Sequence, residues 1–393
     1  MSEFDKVKQL DDEYVAGTYG RFPVAIKQGK GATCCDFDGK SYIDFSSGIG
    51  VNSLGFCDDG WVQAVYSQLT ALQHISNLYY TEPCAKAAEL LCKRTGMKKV
   101  FFSNSGAESN EGAIKCARKY SFMKYGEGRN KVVTLQNSFH GRTVTTLAAT
   151  GQDVFHNYFF PFTEGFLYTP ANDIEALKNA LTDDVCALMM ELIQGEGGVM
   201  PLEKDFVKQA AQLCREKDIL LIIDEVQTGV GRSGELFAFQ RFDIEPDIVT
   251  TAKGLGGGLP LGCVMFSEKT KDVLTKGDHA TTFGGNPVAT KGAEYILTRL
   301  DADFLKAVKE KGDYITQRVL KMPHVEGVDG MGLMLGIRLD ETVKSADVVR
   351  KGIDEGVLLL TAKAKVRLLP PLSITYDEID KGLAAMERAL SNI

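Results

Sequence analysis

Residues 247–267 read DIVTTAKGLGGGLPLGCVMFS, two short apolar segments separated by a lysine and a run of glycines. Each segment has the length of a strand and is apolar almost throughout, which is typical of strands buried on both faces of a sheet. Lys253 directly follows the first segment, so we expect its side chain at a strand end, near the sheet. In open α/β sheets ligands collect at the carboxyl ends of the strands. The stretch therefore predicts a parallel sheet and indicates where a ligand would bind.

The same pattern continues through the middle of the chain, where short apolar segments alternate with amphipathic ones. Further strands are predicted at KVFFSN (99–104), KVVTLQ (131–136), GFLYTP (165–170), VCALMMELI (185–193) and ILLIID (219–224). Helices are predicted near 106–124, 172–181, 203–217 and 269–276, from apolar residues at i, i+3, i+4 and i+7 spacing in the first of them. The alternation predicts an α/β fold built on a mostly parallel sheet.

The two ends of the chain have different patterns. From about residue 287 longer helices are predicted at 287–299, 301–322, 344–355 and 376–392, with the strands LMLGIRL, GVLLL and VRLLP between them. Within residues 1–50, an Asp38-Gly39 turn predicts a hairpin. We therefore predict an N-terminal segment, 1–50, that packs with a smaller α+β domain, 287–393, and a large ligand-binding domain, 51–286.

Bulk composition excludes several classes of function. The chain has 393 residues, 44% of them hydrophobic and 25% charged, with a net charge of −7, which offers no general attraction to nucleic acid or anionic membranes. No apolar run has the length of a membrane span, and the charged N-terminus lacks the apolar centre of a signal peptide. The nine cysteines form no CxxC pair, which favours a reducing cytosol over a disulfide framework. The five histidines lack the spacing of metal ligands, so no metal site is expected. We expect a cytoplasmic enzyme with neither nucleic-acid nor membrane partners.

A capped helix start is the first of three chemical signals. In NSGAESNEGA, Ser105 is followed three residues later by a glutamate, the pattern of a capping box. Taken alone, this pattern is more often only a well-capped helix. The backbone N–H groups of Ser105, Gly106 and Ala107 would also suit an anion, because a helix N-terminus attracts negative charge. Asp59 is likewise expected to cap a helix that begins at Trp61.

An acid at a strand end is the second signal. Asp224 ends the apolar segment ILLIID, where a buried carboxylate requires a partner. The glycines at 229, 231 and 234 match G-x-G-x-x-G, but four residues separate them from the strand and no helix pattern follows them. A dinucleotide fingerprint requires strand, glycines and helix in immediate succession, so NAD binding is disfavoured here.

Lys253 is the third signal. A Walker A loop places its lysine after the glycines, whereas Lys253 precedes them, and the alternative is an ordinary surface lysine at a flexible turn. A strand-end lysine, a strand-end acid and an anion-binding helix start together match what pyridoxal phosphate requires. That cofactor needs an amine for its aldehyde, a carboxylate for its pyridinium nitrogen and a cradle for its phosphate. The glycines beside Lys253 are expected to let the chain turn sharply.

The motifs resemble those of a known enzyme family over nearly the whole chain. NSGAESNEGA, SFHGRT, QGEGG, DEVQTGVGRSG, AKGLGGGLPLG and TTFGGNP occur in the order seen in the class III aminotransferases, which are pyridoxal phosphate enzymes of fold type I. Within that family the chain is most similar to the acetylornithine aminotransferases. The resemblance implies a large domain with a mostly parallel seven-stranded sheet and a smaller α+β domain.

The resemblance also implies a set of cofactor contacts. Lys253 would bond the cofactor and act as the catalytic base, and Asp224 would pair with the ring nitrogen. The other implied contacts are Val226 and Phe139 on the two ring faces, Gln227 near the phenolic oxygen, Ser105, Gly106 and Ala107 at the phosphate, and Thr282 of the partner subunit. A homodimer with shared active sites follows from this last contact.

Substrate recognition is implied to rest on two arginines. Arg142, with Thr281 close by, would bind the carboxylate of the amino donor through a bidentate contact. Arg367 would pair with Glu196 until glutamate arrives and then bind its α-carboxylate. An ordinary surface ion pair is the commoner role of an arginine and remains the alternative for each.

The implied reaction transfers an amino group from N2-acetyl-L-ornithine to 2-oxoglutarate, giving N-acetyl-L-glutamate 5-semialdehyde and L-glutamate in arginine biosynthesis. Gly48 stands where ornithine aminotransferases tend to carry tyrosine, which leaves room for an acylated amine. Succinylornithine, succinyl-diaminopimelate, free ornithine and 4-aminobutyrate remain alternative donors. An aminomutase acting on glutamate 1-semialdehyde is a less favoured alternative, and a silent ligand-binding relative is disfavoured because Lys253 and Asp224 are both present.

Overall fold

The computed structural model describes residues 1–393. In chain order its strands are β1 Ile26–Lys30, β2 Thr33–Asp36, β3 Ser41–Asp44, β4 Lys99–Ser103, β5 Lys131–Leu135, β6 Phe166–Thr169, β7 Val185–Met190, β8 Ile193–Gln194, β9 Met200–Pro201, β10 Leu220–Asp224, β11 Ile248–Thr251, β12 Gly262–Phe266, β13 Val325–Met331, β14 Met334–Leu339, β15 Val357–Leu358, β16 Leu360–Ala362 and β17 Lys365–Leu368. Its helices are α1 Glu3–Tyr14, α2 Ser47–Gly50, α3 Asp59–Ala71, α4 Glu82–Thr95, α5 Gly106–Tyr125, α6 Val144–Ala149, α7 Ile174–Ala180, α8 Lys204–Glu216, α9 Phe239–Phe242, α10 Pro287–Arg299, α11 Ala302–Val319, α12 Ser345–Glu355 and α13 Tyr376–Ser391.

A seven-stranded sheet with the order β4-β12-β11-β10-β7-β5-β6 forms the centre of the molecule. Neighbouring strands are parallel except around β12, which is antiparallel to both β11 and β4. The predicted α/β fold with a mostly parallel seven-stranded sheet is confirmed. In the register of β10 and β11, Asp224 lies opposite Thr250, so the acid and the lysine segment leave the same edge.

Burial explains why the central strands are apolar throughout. Every residue of β7, β10, β11 and β12 is buried, because helices cover both faces of the sheet. One of these faces packs against α5, where Ile114 and Ala117 join Ile222, Ile248 and Val264 in one apolar cluster. Since α5 starts directly after β4, this packing holds the helix N-terminus beside the carboxyl edge of the sheet.

The predicted helix at 269–276 is wrong, because this segment consists of turns. The Thr270 hydroxyl donates to the Asp247 carbonyl at 2.8 Å and accepts the Ser267 N–H at 3.1 Å. These bonds hold the segment next to the start of β11. A threonine side chain bonded in this way competes with the backbone hydrogen bonds of a helix. The other predicted helices and strands are present with small shifts at their ends, whereas α4 and β13 were not predicted.

The N-terminal predictions are confirmed in one case and wrong in another. β2 and β3 form the hairpin, and Gly39 at its turn has φ +85°. Helix α3 begins at Asp59 itself, so its N-cap is Asp58, whose carboxylate accepts the Trp61 N–H at 2.9 Å. Asp59 instead pairs with Lys30 at 2.5 Å. The capping residue was misassigned because the helix starts two residues earlier than its apolar pattern.

The C-terminal part adds a second sheet, with the order β13-β14-β17-β16, and helices α11, α12 and α13. β15 pairs in parallel with β3, which joins the first fifty residues to this part of the chain. The boundaries 1–50, 51–286 and 287–393 stay a prediction. None of the helices is long and apolar enough to cross a bilayer.

Candidate active site

A cavity of about 600 Å³ opens at the carboxyl edge of the central sheet. Ten of the predicted site residues line it: Ser105, Gly106, Ala107, Phe139, Arg142, Glu196, Asp224, Val226, Gln227 and Lys253. They come from five separate parts of the chain, which the parallel strands bring to one edge. The edge was predicted from the positions of the acid and the lysine relative to their strands.

Lys253 follows β11 and projects into this cavity. Its φ is +43°, a left-handed backbone that non-glycine residues rarely adopt and that is typical of functional sites. Burial around the amine lowers the pKa of Lys253 below its ordinary value of 10.5, Glu196 opposes this effect, and Arg367 adds to it. A lysine with a lowered pKa holds more of its neutral, nucleophilic form at physiological pH.

The glycines next to Lys253 serve close packing rather than the turn itself. A Cβ at Gly254 would lie 2.6 Å from the Ser53 Oγ, and one at Gly256 would lie 2.0 Å from the Leu259 carbonyl oxygen. Neither glycine has a positive φ. The expectation that they make the sharp turn is therefore wrong for these two, because Lys253 itself adopts the left-handed conformation. Among the glycines that follow Lys253 in this loop, positive φ occurs only at Gly257 and Gly258.

Asp224 is the best-anchored side chain of the site. Its Oδ2 accepts hydrogen bonds from the Asn110 amide at 2.8 Å and from the His140 Nδ1 at 2.8 Å, and its Oδ1 accepts the Val226 N–H at 3.0 Å. The Thr250 hydroxyl donates to the Asn110 Oδ1 at 2.6 Å, which sets the orientation of that amide. These bonds provide the partners that a buried strand-end acid requires, and they aim the carboxylate into the cavity.

Asn110 and His140 were missed by the sequence reasoning. Asn110 lies one helical turn beyond Gly106 and is buried, a position where a polar residue needs partners. His140 belongs to the SFHGRT motif, in which only Phe139 and Arg142 were predicted to be site residues. A polar residue at i+4 from a helix N-terminus was the available signal for Asn110, but no spacing in the sequence links either residue to Asp224.

The start of α5 provides a cradle for an anion. Ser105 is the N-cap, and its hydroxyl accepts the Glu108 N–H at 3.2 Å. The N–H groups of Gly106 and Ala107 lie in the first helical turn, where they have no carbonyl partner within the helix. A Cβ at Gly106 would lie 2.6 Å from the Val226 side chain, so only glycine fits there.

Arg367 does not line the cavity itself but lies behind Glu196 and Gln227 of its inner wall, and it is almost fully buried. Its Nη1 and Nη2 donate to the two carboxylate oxygens of Glu196 at 2.5 and 3.3 Å, and Nη1 also donates to the Gln227 Oε1 at 3.2 Å. The Gln227 amide donates back to Glu196 at 3.3 Å. Burial alone would raise the pKa of Glu196, but the charge of Arg367 holds it below its ordinary value. The ion pair is therefore fully charged.

Arg142 lies at the mouth and differs in every respect from Arg367. Its side chain is exposed, and its Cζ lies 4.2 Å from the ring centroid of Phe155 and 5.5 Å from that of Phe139. It takes part in none of the ion pairs of the structure. The alternative of an ordinary surface ion pair therefore does not describe Arg142, whose N–H donors have no acceptor within the chain.

Thr281 and Thr282 do not line the cavity of their own chain. The Thr281 hydroxyl accepts a hydrogen bond from the Asn104 amide at 3.0 Å, and Asn104 itself lines the cavity beside Ser105. Thr282 is exposed. Within one chain, the structure thus places Thr281 just behind the anion cradle and Thr282 at the surface.

Tyr19 and Glu191 also line the cavity and were not predicted. The Glu191 carboxylate accepts the backbone N–H groups of Phe139 at 2.9 Å and Gly195 at 3.2 Å. It therefore joins the segment that carries Phe139 to the segment that carries Glu196. Burial raises the pKa of Glu191 above its ordinary value.

The donor set of the cavity fits pyridoxal phosphate. The amine of Lys253, the anchored carboxylate of Asp224 and the open helix start at Gly106 all face one space. Val226 and Phe139 line the same space and offer apolar surface for a flat ring. NAD binding at the glycines of DEVQTGVGRSG stays disfavoured, because turns directly follow them and the next helix, α9, has only four residues.

Comparison with known proteins assigns the family. The family described as "Aminotransferase class-III" matches residues 14–390. The acetylornithine aminotransferase of Haemophilus ducreyi is 51% identical over 390 residues, which cover 99% of each chain. The ornithine aminotransferase of Toxoplasma gondii has a TM-score of 0.95 at 32% identity, covering 100% of this chain and 96% of that one.

The N-acetylornithine aminotransferase of Stenotrophomonas maltophilia has a TM-score of 0.84 at 33% identity and covers 98% of both chains. The backbone is thus shared by aminotransferases with different amino donors, and it does not by itself select one. The match along nearly the whole sequence and the lysine, acid and helix start in one cavity lead to the same conclusion. This chain belongs to the class III aminotransferases, enzymes that depend on pyridoxal phosphate.

Proposed function

We propose that this chain transfers the 5-amino group of N2-acetyl-L-ornithine to 2-oxoglutarate, giving N-acetyl-L-glutamate 5-semialdehyde and L-glutamate, a step of arginine biosynthesis. The observation that carries the proposal is the pair of arginines at one cavity. Arg142 is unpaired at the mouth, while Arg367 lies behind the inner wall and is paired with Glu196, which lines it. The relatives at 39% to 51% identity that carry the name acetylornithine aminotransferase support the choice of donor.

The chemistry is divided between cofactor and chain. When bound, pyridoxal phosphate supplies an aldehyde that bonds amines and a ring that withdraws electrons from the reacting carbon. Lys253 is the amine that holds the cofactor and the base that moves the proton at the substrate carbon. Asp224, anchored by its three hydrogen bonds, keeps a negative charge beside the ring nitrogen.

The resemblance to the family implies the remaining cofactor contacts. Phe139 and Val226 would cover the two ring faces, Gln227 would lie near the phenolic oxygen, Ser105, Gly106 and Ala107 would hold the phosphate, and Thr282 of the partner subunit would complete the phosphate site. Because a helix start attracts negative charge, it would hold the phosphate and leave the amine of Lys253 free to react.

The two arginines let one cavity accept two different substrates. Arg142, with Thr281 behind the same wall, binds the carboxylate of acetylornithine while the Arg367–Glu196 pair stays closed. When glutamate enters, Glu196 withdraws, and Arg367 binds the α-carboxylate in its place. Exchange of one carboxylate for another keeps the buried guanidinium paired, which avoids the large cost of an unpaired buried charge.

Gly48 supports an acylated donor. It lies in the short turn Ser47–Gly50 with φ +62°, in the left-handed region that side chains rarely adopt, although Ser47 and Ile49 share that region. A Cβ at Gly48 would meet its nearest atom, in Asn52, at 3.7 Å, which is ordinary contact. The glycine therefore leaves open space near Val51 of the cavity wall. Gly48→Tyr is expected to reduce the preference for acetylornithine over ornithine by roughly tenfold, measured by donor competition.

A homodimer is the assembly that we propose. The segment Leu78–Tyr80 is strongly exposed, and so is Phe283 beside Thr282. The Asn77 amide donates to the carbonyls of Thr281 at 3.2 Å and Gly284 at 2.8 Å, which brings the two segments together as one apolar patch. Such a patch is typical of a protein–protein interface. Sedimentation of the holoenzyme tests this, and a fully active monomer would contradict it.

Donor competition tests the proposed reaction. Purified holoenzyme is offered acetylornithine together with ornithine, succinylornithine, succinyl-diaminopimelate or 4-aminobutyrate, with 2-oxoglutarate as acceptor. We expect acetylornithine to have the highest kcat/KM, and a higher value for free ornithine would refute the donor assignment. Conversion of glutamate 1-semialdehyde without any acceptor would instead indicate an aminomutase. We place the reaction in the cytoplasm, because nine free cysteines favour a reducing compartment.

A further inference from the structure

Arg142 lies against two aromatic rings, and only one of them has a place in the proposed cofactor site. Phe139 is the cofactor-facing ring, at 5.5 Å from the Arg142 Cζ. Phe155 is closer, at 4.2 Å, and its ring meets that of Phe139 edge-on, with 5.8 Å between centroids. The guanidinium, Phe139 and Phe155 form a three-membered stack, which we call the arginine clamp.

Phe155 is held firmly although it lies near the surface. It ends a 3-10 turn, Asp153–Phe155, and its N–H donates to the Gln152 carbonyl at 3.0 Å. The Gln152 amide donates to the Ser138 carbonyl at 3.0 Å, and the Ser138 hydroxyl accepts the Gly151 N–H at 3.0 Å. Because Ser138 directly precedes Phe139, the turn is anchored to the same segment that carries the other ring and Arg142.

The following residue strengthens this anchor. His156 contacts the Leu147 carbonyl through Nε2 at 3.0 Å, and its ring packs on Phe162 and Tyr168. The turn is therefore tied to α6 as well as to the Ser138 segment. Phe155 is thus presented by a braced turn and not by a free loop, so its ring has a defined position relative to the arginine.

An exposed arginine without a partner normally samples many rotamers, and ordering it on substrate binding costs entropy. Stacking on an aromatic face attracts the guanidinium and restricts those rotamers. Arg142 makes no ion pair and donates no hydrogen bond within the chain, so its N–H groups remain available to a carboxylate. The clamp thus prepares Arg142 for a bidentate bond before the donor arrives.

We propose that Phe155 is a positioning residue that orders Arg142 for the carboxylate of the amino donor and so determines donor affinity. This inference rests on the proposed function, in which Arg142 serves the donor and Arg367 serves glutamate. Arg367 is held by Glu196 and Gln227 and does not contact Phe155. Loss of Phe155 should therefore affect the acetylornithine half-reaction and leave the glutamate half-reaction unchanged.

The test measures each half-reaction separately in single turnovers of the holoenzyme, following the absorbance of the bound cofactor. For Phe155→Ala, we expect the apparent Kd of acetylornithine to rise on the order of fivefold, with the limiting rate little changed. Phe155→Tyr keeps an aromatic face and should match the wild type. Tyr158→Ala removes an exposed ring from the same segment that does not contact Arg142, and it should also match the wild type.

Unchanged acetylornithine binding in Phe155→Ala, or an equal loss in both half-reactions, would overturn the inference. If Phe155→Ala does not fold, Phe155→Leu keeps most of the apolar volume without the aromatic face and should show the same rise in Kd. Arg142→Ala separates this inference from the proposed function. If that variant binds acetylornithine normally, the donor assignment itself is wrong. If it binds poorly while Phe155→Ala and Phe155→Leu bind normally, only the clamp is wrong.

Discussion

One arginine lies at the mouth of the cavity and another lies behind its inner wall, in opposite physical states. Arg142 at the mouth is exposed, stacked on aromatic rings and free of ion pairs, whereas Arg367 behind the wall is 3% exposed and paired with Glu196. An exposed guanidinium remains hydrated and can stay unpaired, but a buried one requires a permanent partner. The comparison shows how one cavity can keep one carboxylate site open and another closed.

The largest expected effect comes from Lys253, which acts on both substrates in the proposed function. Lys253→Ala should reduce both half-reactions by at least about 10³-fold, because it removes the general base as well as the amine that holds the cofactor. Single turnovers with acetylornithine and with glutamate measure this, and Lys276→Ala, at an exposed lysine, is the control. Retention of either half-reaction would show that the two substrates do not share this base.

Replacing Arg367 should weaken the half-reaction of glutamate far more than that of acetylornithine. Arg367→Met should weaken the glutamate half-reaction on the order of 100-fold, because a bidentate charged contact is lost, and leave acetylornithine binding less affected. The matched variant Arg142→Met should show the reverse preference. Because Arg367→Met leaves Glu196 without its partner, Arg367→Met combined with Glu196→Gln controls for the unpaired carboxylate. Equal losses with both substrates would remove the distinction between mouth and wall.

Breaking the Arg367–Glu196 ion pair by replacing Glu196 should have a smaller effect, and it should strengthen glutamate binding instead of weakening it. Glu196→Ala frees Arg367, so we expect glutamate to bind severalfold more tightly in its half-reaction, by roughly tenfold at most. Glu196→Gln, which keeps the side-chain volume without the charge, should act in the same direction. If glutamate binding is unchanged in both variants, then the ion pair does not compete with the substrate.

The smallest effect concerns the pKa of Lys253. Burial and the charge of Arg367 lower this pKa, so covalent attachment of pyridoxal phosphate to the apoenzyme should increase with pH and have its midpoint below pH 10.5. Arg367→Met removes a lowering cause and should move the midpoint to higher pH. Arg142→Met should not move it, since Arg142 is not among the groups that shift this pKa. Attachment rates measured across pH, with borohydride trapping, provide the midpoint.

How much was predictable differs from residue to residue. Lys253, Asp224 and the Ser105 cap were identified because each depends on its position relative to one strand or helix, which local pattern reveals. Asn110, His140 and Glu191 were missed, since their roles depend on hydrogen bonds between segments 30 to 114 residues apart. No local spacing records such bonds.

The errors have a similar origin. The 269–276 segment has helical spacing, but Thr270 bonds to the residue 23 positions earlier, and this bond favours turns. Gly254 and Gly256, next to Lys253, were assigned to the turn because glycine adopts positive φ without steric cost. Their actual requirement is space against Ser53 and Leu259, which only the folded chain brings close.

The sequence by itself determined the fold class and predicted the sheet edge at which a ligand would bind, with Lys253, Asp224 and the helix start at Ser105 as its contacts. These follow from the periodicity of apolar residues and from polar residues at the ends of strands and helices. Only the tertiary structure decided which arginine is open and which is closed, and it alone placed Phe155 on Arg142. Burial and pairing are properties of surfaces that meet after folding, so two arginines with the same chemistry acquired different states from their surroundings.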